Sequence, residues 1–411
     1  MKILSGIGGW RYIFKDEKVI PFFGTMILFG IVVGLWGGVM NNWLHGILDI
    51  GRKERGFIEF PRELPGLLLF LMVGLLSKLS EFRLMRTALL ASAAGMTGLA
   101  VLGDNRIAAV GFIVVMSSGE HLMMPVRQSL GIHMSQPGKE GLAMGAIRSA
   151  GNIGQVVGYY LIPVIFLIIR HFRRNNPGYS DFLPYRTVFI FAALLLVAGL
   201  ILTKPLGKKG EHIQPRKIQL KKHFRKYYIL EVFFGARKQV FLTFAPYVLI
   251  MVYDAPTELI ATLYGIWSLA NIFVGPLIGK LLDHFGYKKI IIADAVFLTF
   301  LCLIYGWANT LLPYRTAYIV TIVVFVLDAM SMAVSMARAL YAKKVSKPDD
   351  DVTGTLSTGI SINHFVSIII AVLGGMLWES LGMPLLFSIA ALFGLMSMLF
   401  ATTLENPNTL K

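Results

Sequence analysis

The sequence predicts an all-α membrane protein: twelve transmembrane helices in two six-helix, pseudo-repeated bundles. Three observations carry that prediction. The 411-residue chain is 55% hydrophobic and only 15% charged, whereas soluble domains are about 45–50% apolar and about a quarter charged. Apolar runs of at least ~18 residues, long enough to cross a bilayer as helices, recur from end to end. One long basic connection, 204–226, divides these runs into two groups of six. Lipid offers backbone groups no partner, so spanning segments must be helices or a closed barrel. The alternating ~10-residue pattern of a barrel is absent.

In chain order the expected spans are 19–44, 64–82, 84–102, 107–134, 142–169, 184–203, 228–251, 258–281, 287–307, 314–341, 353–378 and 381–402. Residues 1–203 then form an N-terminal six-helix bundle, 204–226 a linker and 227–411 a C-terminal six-helix bundle. The first run is too long for a cleavable signal peptide and lacks a small-residue cleavage site, so it reads as a retained span. The charged stretch 52–62 is assigned to the connection before the second span. An even number of spans puts both termini on one side. Lys and Arg number 24 in the connections on that side and 10 on the other. The excess places the termini and the central linker in the cytoplasm of a cell whose plasma or inner membrane holds the chain. It also accounts for the net charge of +16 without nucleic acid as a partner. Cys302 is the only cysteine and lies inside an apolar run, so no intrachain disulfide forms. No metal or cofactor is expected.

The two halves echo each other. An offset of 211 residues pairs Arg127 with Arg338, Ser135 with Ser346, Pro137 with Pro348 and Asn152 with Asn363. The same offset pairs Phe22-Phe23-Gly24 with Phe233-Phe234-Gly235. Parallel repeats of this kind mark secondary transporters, with the solute site near the midplane between repeats. The echo includes a turn. Gly275, Gly279, Asp283, Gly286, Lys288 and Lys289 crowd the short connection after the eighth span, and Lys78, Glu81 and Arg86 form a weaker copy after the second.

The six-plus-six layout, the basic linker and the 275–289 turn together resemble the major facilitator superfamily. Its signature connection reads roughly G-x-L-x-D-x-x-G-R/K-R/K. Gly279, Leu281 or Leu282, Asp283, Gly286, Lys288 and Lys289 fit it, allowing one residue of spacing. In the family the stronger copy usually follows the second span; here that copy is degraded, with Glu81 for the acid and the glycines missing. The resemblance implies a transporter, working as a monomer in the lipid bilayer, that moves a small-molecule solute with protons or another coupling ion. It also implies a gating role for Asp283, Gly286, Lys288 and Lys289, and for Glu81 and Arg86, in which the acid contacts a neighbouring helix end. The plain alternative is a charged span end that only sets topology.

Ionisable groups inside spans cost about 2.5–3.5 kcal/mol each on insertion scales, so each is a candidate for function. The fourth span carries Ser117, Glu120, Met124 and Arg127 on one face, and the tenth carries Asp328, Ser331, Ser335 and Arg338 at the same steps. Glu120 and Arg127 are ~10 Å apart along the axis, which implies partners on other helices. Arg127 and Arg338 sit near span ends, where they can reach the interface. The fifth span shows a polar stripe, Arg148, Asn152, Gln155 and Tyr159, flanked by Gly145, Gly151, Gly154 and Gly158 as close-packing sites. The seventh span holds Glu231, Arg237 and Lys238, and the eleventh holds His364 beside Asn363. A lone His of this kind is more often a packing residue than a proton carrier.

The candidate solute-binding set is therefore Arg148, Asn152, Gln155, Glu120, Arg237, Lys238, Asp328 and His364. Glu120, Glu231 and Asp328 are the proton-coupling candidates. A small surplus of cations within the spans leans toward an anionic or zwitterionic organic solute. The runner-up is a proton antiporter that exports lipophilic compounds, although Tyr159 directly after Gly158 and the late Pro163 depart from the antiporter pattern of the resembled family. A membrane-embedded lipid-modifying enzyme needs clustered acids, and the only cluster, Asp349-Asp350-Asp351, reads as a solvated turn. No G-x-x-x-x-G-K-[ST] loop is present to drive transport by ATP.

Overall fold

The computed structural model describes residues 13–15, 19–76, 78–175, 178–207, 220–347 and 352–405. The acidic cluster at 349–351 and residues 208–219 of the linker lie outside them. The helices are α1 (Val19–Gly46), α2 (Arg52–Leu67), α3 (Leu69–Leu75), α4 (Glu81–Leu102), α5 (Arg106–His133), α6 (Glu140–Asn175) and α7 (Leu183–Leu202), then α8 (Arg225–Tyr253), α9 (Thr257–Leu311), α10 (Tyr314–Ser331), α11 (Ser335–Val345) and α12 (Val352–Ala401). Among the described residues there is no strand, only an isolated bridge between Phe14 and Ser135.

Eight helices among the described residues are long and apolar enough to cross a membrane. Two of them exceed one bilayer and break at a glycine. Gly286 inside α9 has φ 76° and ψ 162°, and Gly382 inside α12 has φ 84° and ψ 170°. That region of backbone space is essentially reserved for glycine. The break at Gly286 falls in the connection expected between the eighth and ninth spans, whereas Gly382 lies two residues past the connection expected at 379–380, inside the span placed at 381–402. α8 has the length, 29 residues, but Glu231, Arg237 and Lys238 interrupt its apolar run.

One expected boundary is wrong. The second span was placed at 64–82, with 52–62 as a loop, yet helix already begins at Arg52 and pauses only at Leu68. The six charges between 52 and 62 make the stretch read as a connection. The charges are spaced so that they satisfy one another: Arg55 pairs with Glu59, and Arg62 pairs with Glu59 and Glu63. The first two are one turn apart on one face.

The chain forms two compact units. The first comprises Met1–Leu48, Leu64–Pro215 and Thr257–Gly265. In it α1 packs on α6 and α7, and α4 packs on α5 and α7. Glycines make the α1–α6 crossing close. A Cβ on Gly30 would stand 2.2 Å from the Gly151 carbonyl oxygen, one on Gly154 2.2 Å from that of Ile27, and one on Gly158 2.2 Å from that of Ile31. Gly145, expected to share this role, has nothing within 4 Å of its would-be Cβ. Close backbone approach of this kind is how helices associate without a hydrophobic driving force. Trp43 fills the end of the unit, its ring 5.3 Å from Phe189 and its Nε1 donating to the Gly103 carbonyl at 2.9 Å. The start of α9 is held here by a Tyr185–Thr257 hydroxyl contact of 2.9 Å and an Arg170–Glu258 ion pair.

The second unit comprises Asp49–Glu63, Arg216–Pro256 and Ile266–Lys411. α8 runs through it against α10, α11 and α12. α2 lies so close to α12 that a Cβ on Gly56 would meet the Ala371 carbonyl oxygen at 2.2 Å. At the end where α8 starts, Phe224, Tyr227, Tyr287, Val334, Tyr341 and Leu404 form an aromatic-rich core.

Candidate functional site

In the first unit the polar candidates sit on α5 and α6. α6 packs closely on α1 through its glycines, and part of its stripe joins that contact: the Gln155 backbone lies against Gly34 and the Tyr159 ring against Gly37 and Gly38. Asn152 and Gln155 are half-buried and Arg148 is exposed. Tyr159 is buried and stacks on Tyr264, ring centroids 5.5 Å apart. On α5, Glu120 is half-buried and Arg127 exposed. Arg127 lies in electrostatic reach of both Glu120 and Arg148. None of the three makes a hydrogen bond or ion pair among the described residues. Two guanidiniums and one carboxylate thus share a region with no fixed internal pairing.

The second unit treats its charges differently. Arg237 on α8 is 2% exposed and donates from Nη1 to Asp328 on α10. Arg338 on α11 donates from Nε to Glu231 Oε1 at 2.9 Å and lies flat over Phe234, 3.5 Å from the ring centroid. Arg338 is buried in this pair and does not reach out to the interface as its place near a span end suggested. Lys238 donates to Asn363 Oδ1 at 2.6 Å, and Asn363 Nδ2 approaches Glu231 Oε2 at 3.4 Å. His364 Nδ1 lies 2.7 Å from Glu63 Oε2. These charges are largely paired, in three groups: Arg338–Glu231–Asn363–Lys238, Arg237–Asp328 and His364–Glu63, which is how buried charge is tolerated.

Sequence reasoning missed part of this pairing. Glu59 and Glu63 on α2 are buried, and Glu59 also accepts from Gln239 Nε2 at 3.2 Å. Arg55 lies under the ring of Tyr247 at 5.6 Å. The available signal was the helical spacing of Arg55, Glu59, Arg62 and Glu63, which counting each charge alone hides.

The two turns differ in the opposite sense. The degraded copy is the more engaged. Glu81, 1% exposed, accepts from Ser129 and sits 2.6 Å from His133 Nδ1, in the last turns of α5. Arg86 donates to the Thr203 carbonyl at 2.7 Å and to the Gly207 carbonyl at 2.7 Å, at the end of α7. An acid in the first turn of α4 is also favoured by the helix dipole. In the stronger copy, Lys288 donates to the Leu404 carbonyl at 2.7 Å. Asp283 and Lys289 are exposed and make no hydrogen bond among the described residues.

The sequence profile of the Major Facilitator Superfamily matches residues 22–362. No curated protein matches the sequence significantly. Solved structures share the architecture. A variant of the nucleoside transporter NupG is 13% identical with a TM-score of 0.74, over 95% of this chain and 100% of that one. A D-xylose–proton symporter is 14% identical with a TM-score of 0.73, over 96% and 100%. An auto-inhibited POT family peptide transporter is 11% identical with a TM-score of 0.74, over 95% and 98%.

Proposed function

Since the chain belongs to the major facilitator superfamily and is a membrane transporter rather than an enzyme, we propose that it moves a small organic solute, anionic or zwitterionic, by proton-coupled alternating access. The three structural neighbours carry nucleosides, xylose and peptides, so the architecture does not choose among solute classes. The choice rests on charge. Arg127 and Arg148 face a single acid, Glu120, without fixed partners, while the charges of the second unit largely compensate one another. Two cations with one carboxylate between them favour a solute that brings its own negative charge. Asn152 and Gln155, one turn apart on the α6 stripe, supply neutral donors and acceptors to the same solute. Glu120 is the proton carrier of this reading, with Glu231 and Asp328 as further carboxylates in the path. In the same reading both termini lie in the cytoplasm, at the cytoplasmic membrane, supported by the positive charge of the linker and turns.

The test is a thermal-stabilisation screen of the purified protein against organic anions, zwitterions and lipophilic cations, at acidic and at neutral pH. The expected result is stabilisation by anions or zwitterions that disappears in Arg148→Ala. Stabilisation by lipophilic cations alone would reverse the assignment in favour of an exporter.

A further inference from the structure

Arg237 carries more donors than its known partner accepts. Nη1 donates to Asp328, while Nε and Nη2 are buried and, the Cys302 thiol beside the guanidinium apart, have no hydrogen-bond partner among the described residues. A guanidinium with two unsatisfied N–H groups in low dielectric is costly. Arg237 lines a small cavity of about 20 Å³, room for about one water molecule. Asp294, on the part of α9 after Gly286, lines the same cavity. Its carboxylate makes no hydrogen bond among the described residues. A donor pair short of an acceptor and an acceptor without a donor thus line one small cavity.

The surrounding groups are few. α8 contributes Arg237, α11 contributes Arg338, and α10 contributes Asp328, which acts on Asp294 through space. Cys302, further along α9, faces Arg237. The only polar lining side chain from α12 is Ser397, and Phe233, Phe234 and Phe393 close the rest. Arg237, Lys238 and Arg338 are balanced by Glu231, Asp328 and Asp294 only while Asp294 is ionised.

We propose that the cavity between Arg237 and Asp294 is a protonation site, with Asp294 as the acid that takes up and releases the proton and Arg237 shared between two carboxylates. Ionised Asp294 accepts the free N–H groups of Arg237, directly or through one water. A proton arriving from water binds the Asp294 carboxylate and cancels that attraction, and Arg237 is left to Asp328 alone. α8 is thereby tied to α9 and α10 in one state and to α10 alone in the other. Asp294 is not among the coupling candidates Glu120, Glu231 and Asp328. The inference rests on the proton-coupled reading above for its purpose, but not for its test.

Infrared difference spectroscopy of the purified protein in detergent, stepped from neutral to acidic pH, reads the carbonyl stretch of a protonated carboxyl without solute or gradient. The expected result is a titrating band that is lost in Asp294→Asn, shifted in Asp294→Glu and retained in Glu120→Gln. A band that survives Asp294→Asn, or no titrating band in the unmodified protein, overturns the proposal. If Asp294→Asn fails to fold, the Asp294→Glu shift decides alone. An intact band alongside pH-independent transport of a solute found by the screen would sink the proton-coupled reading and leave the site standing. A missing band alongside pH-driven transport would do the reverse.

Discussion

Gly34 on α1 and Gln155 on α6 meet backbone to backbone: a Cβ on Gly34 would stand 2.3 Å from the Gln155 carbonyl oxygen. This contact fixes the rotation of α6 about its axis, and with it the direction of the Asn152–Gln155–Tyr159 stripe. Gly34→Ala is expected to force the helices apart at an overpacking cost of about 1–3 kcal/mol. Gly145→Ala is the control. Nothing lies within 4 Å of its would-be Cβ, and removing a mid-helix glycine gains about 0.5–1 kcal/mol. Thermal unfolding in detergent should fall for the first variant and hold or rise for the second. Equal melting of both would mean that α1 and α6 are not in close contact.

Gly286 and Gly279 belong to the same signature turn but have different work. Gly286 sits at φ 76° and ψ 162°, where a side chain is strained, while Gly279 is helical with open space around it. Gly286→Ala is expected to destabilise by about 1–3 kcal/mol, the cost of holding a non-glycine residue there. Gly279→Ala should be neutral or better. Comparison of the two by thermal unfolding separates backbone need from mere membership of the motif.

The same contrast explains what was legible in the sequence. Apolar runs, and glycine-bearing turns between them, are local signals, so most of the long apolar helices after Glu81 and the break at Gly286 could be read directly, while the break at Gly382 fell inside an expected span. Pairing is not local. Arg237 and Asp328 are 91 residues apart, and Glu63 and His364 are 301 apart. Nothing in either stretch names its partner. α2 was misread because its charges neutralise one another along the helix, and a hydropathy argument sees each charge alone. The repeat also misled in part: Arg127 and Arg338 occupy matching positions, yet one is exposed without a partner and the other is buried against Glu231 and Phe234.

Arg338 holds Glu231 by a directed Nε–H and also covers the Phe234 ring. Arg338→Ala leaves Glu231 with weaker donors in a buried site, at an expected cost of about 3–5 kcal/mol. Lys has a compact ammonium and cannot stack flat on the ring. Arg338→Lys should therefore recover only part of the loss. A full recovery in thermal unfolding would show that charge alone matters at this position.

Glu120 and Asp328 differ in their surroundings, so their neutral variants should differ too. Glu120→Gln removes a carboxylate that no described residue pairs with. It is expected to leave stability nearly unchanged and to abolish the response of transport to a proton gradient. Asp328→Asn keeps an acceptor for Arg237 Nη1 but removes its counter-charge. It should lower both coupling and the melting temperature. Reconstituted vesicles with and without a pH gradient check the coupling, and pH dependence unchanged in both variants would remove these two acids from the proton path.

Glu405 closes the second unit just beyond α12 and gives the chain an acid-sensitive clamp. Its carboxylate accepts from Lys226 Nζ at 2.6 Å and from Tyr341 at 2.7 Å, and its carbonyl accepts from Tyr287 at 2.9 Å. Partial burial works against the ionised form, but the hydrogen bonds from Lys226 and Tyr341 outweigh it and hold the carboxyl below its ordinary 4.5. A folded value below the unfolded one means that the clamp stabilises at every pH above about 4.5, and that its contribution fades as pH falls through that value toward the lower folded one. The side chain is 36% exposed, so salt weakens the effect. Glu405→Gln should lower the melting temperature slightly at neutral pH and make it less steep in acid than that of the parent. Lys226→Met should do the same through the other partner. Parallel acid limbs in all three proteins would show that the ends of α8, α11 and α12 are held by the Phe224–Tyr287–Tyr341 core and not by this carboxylate.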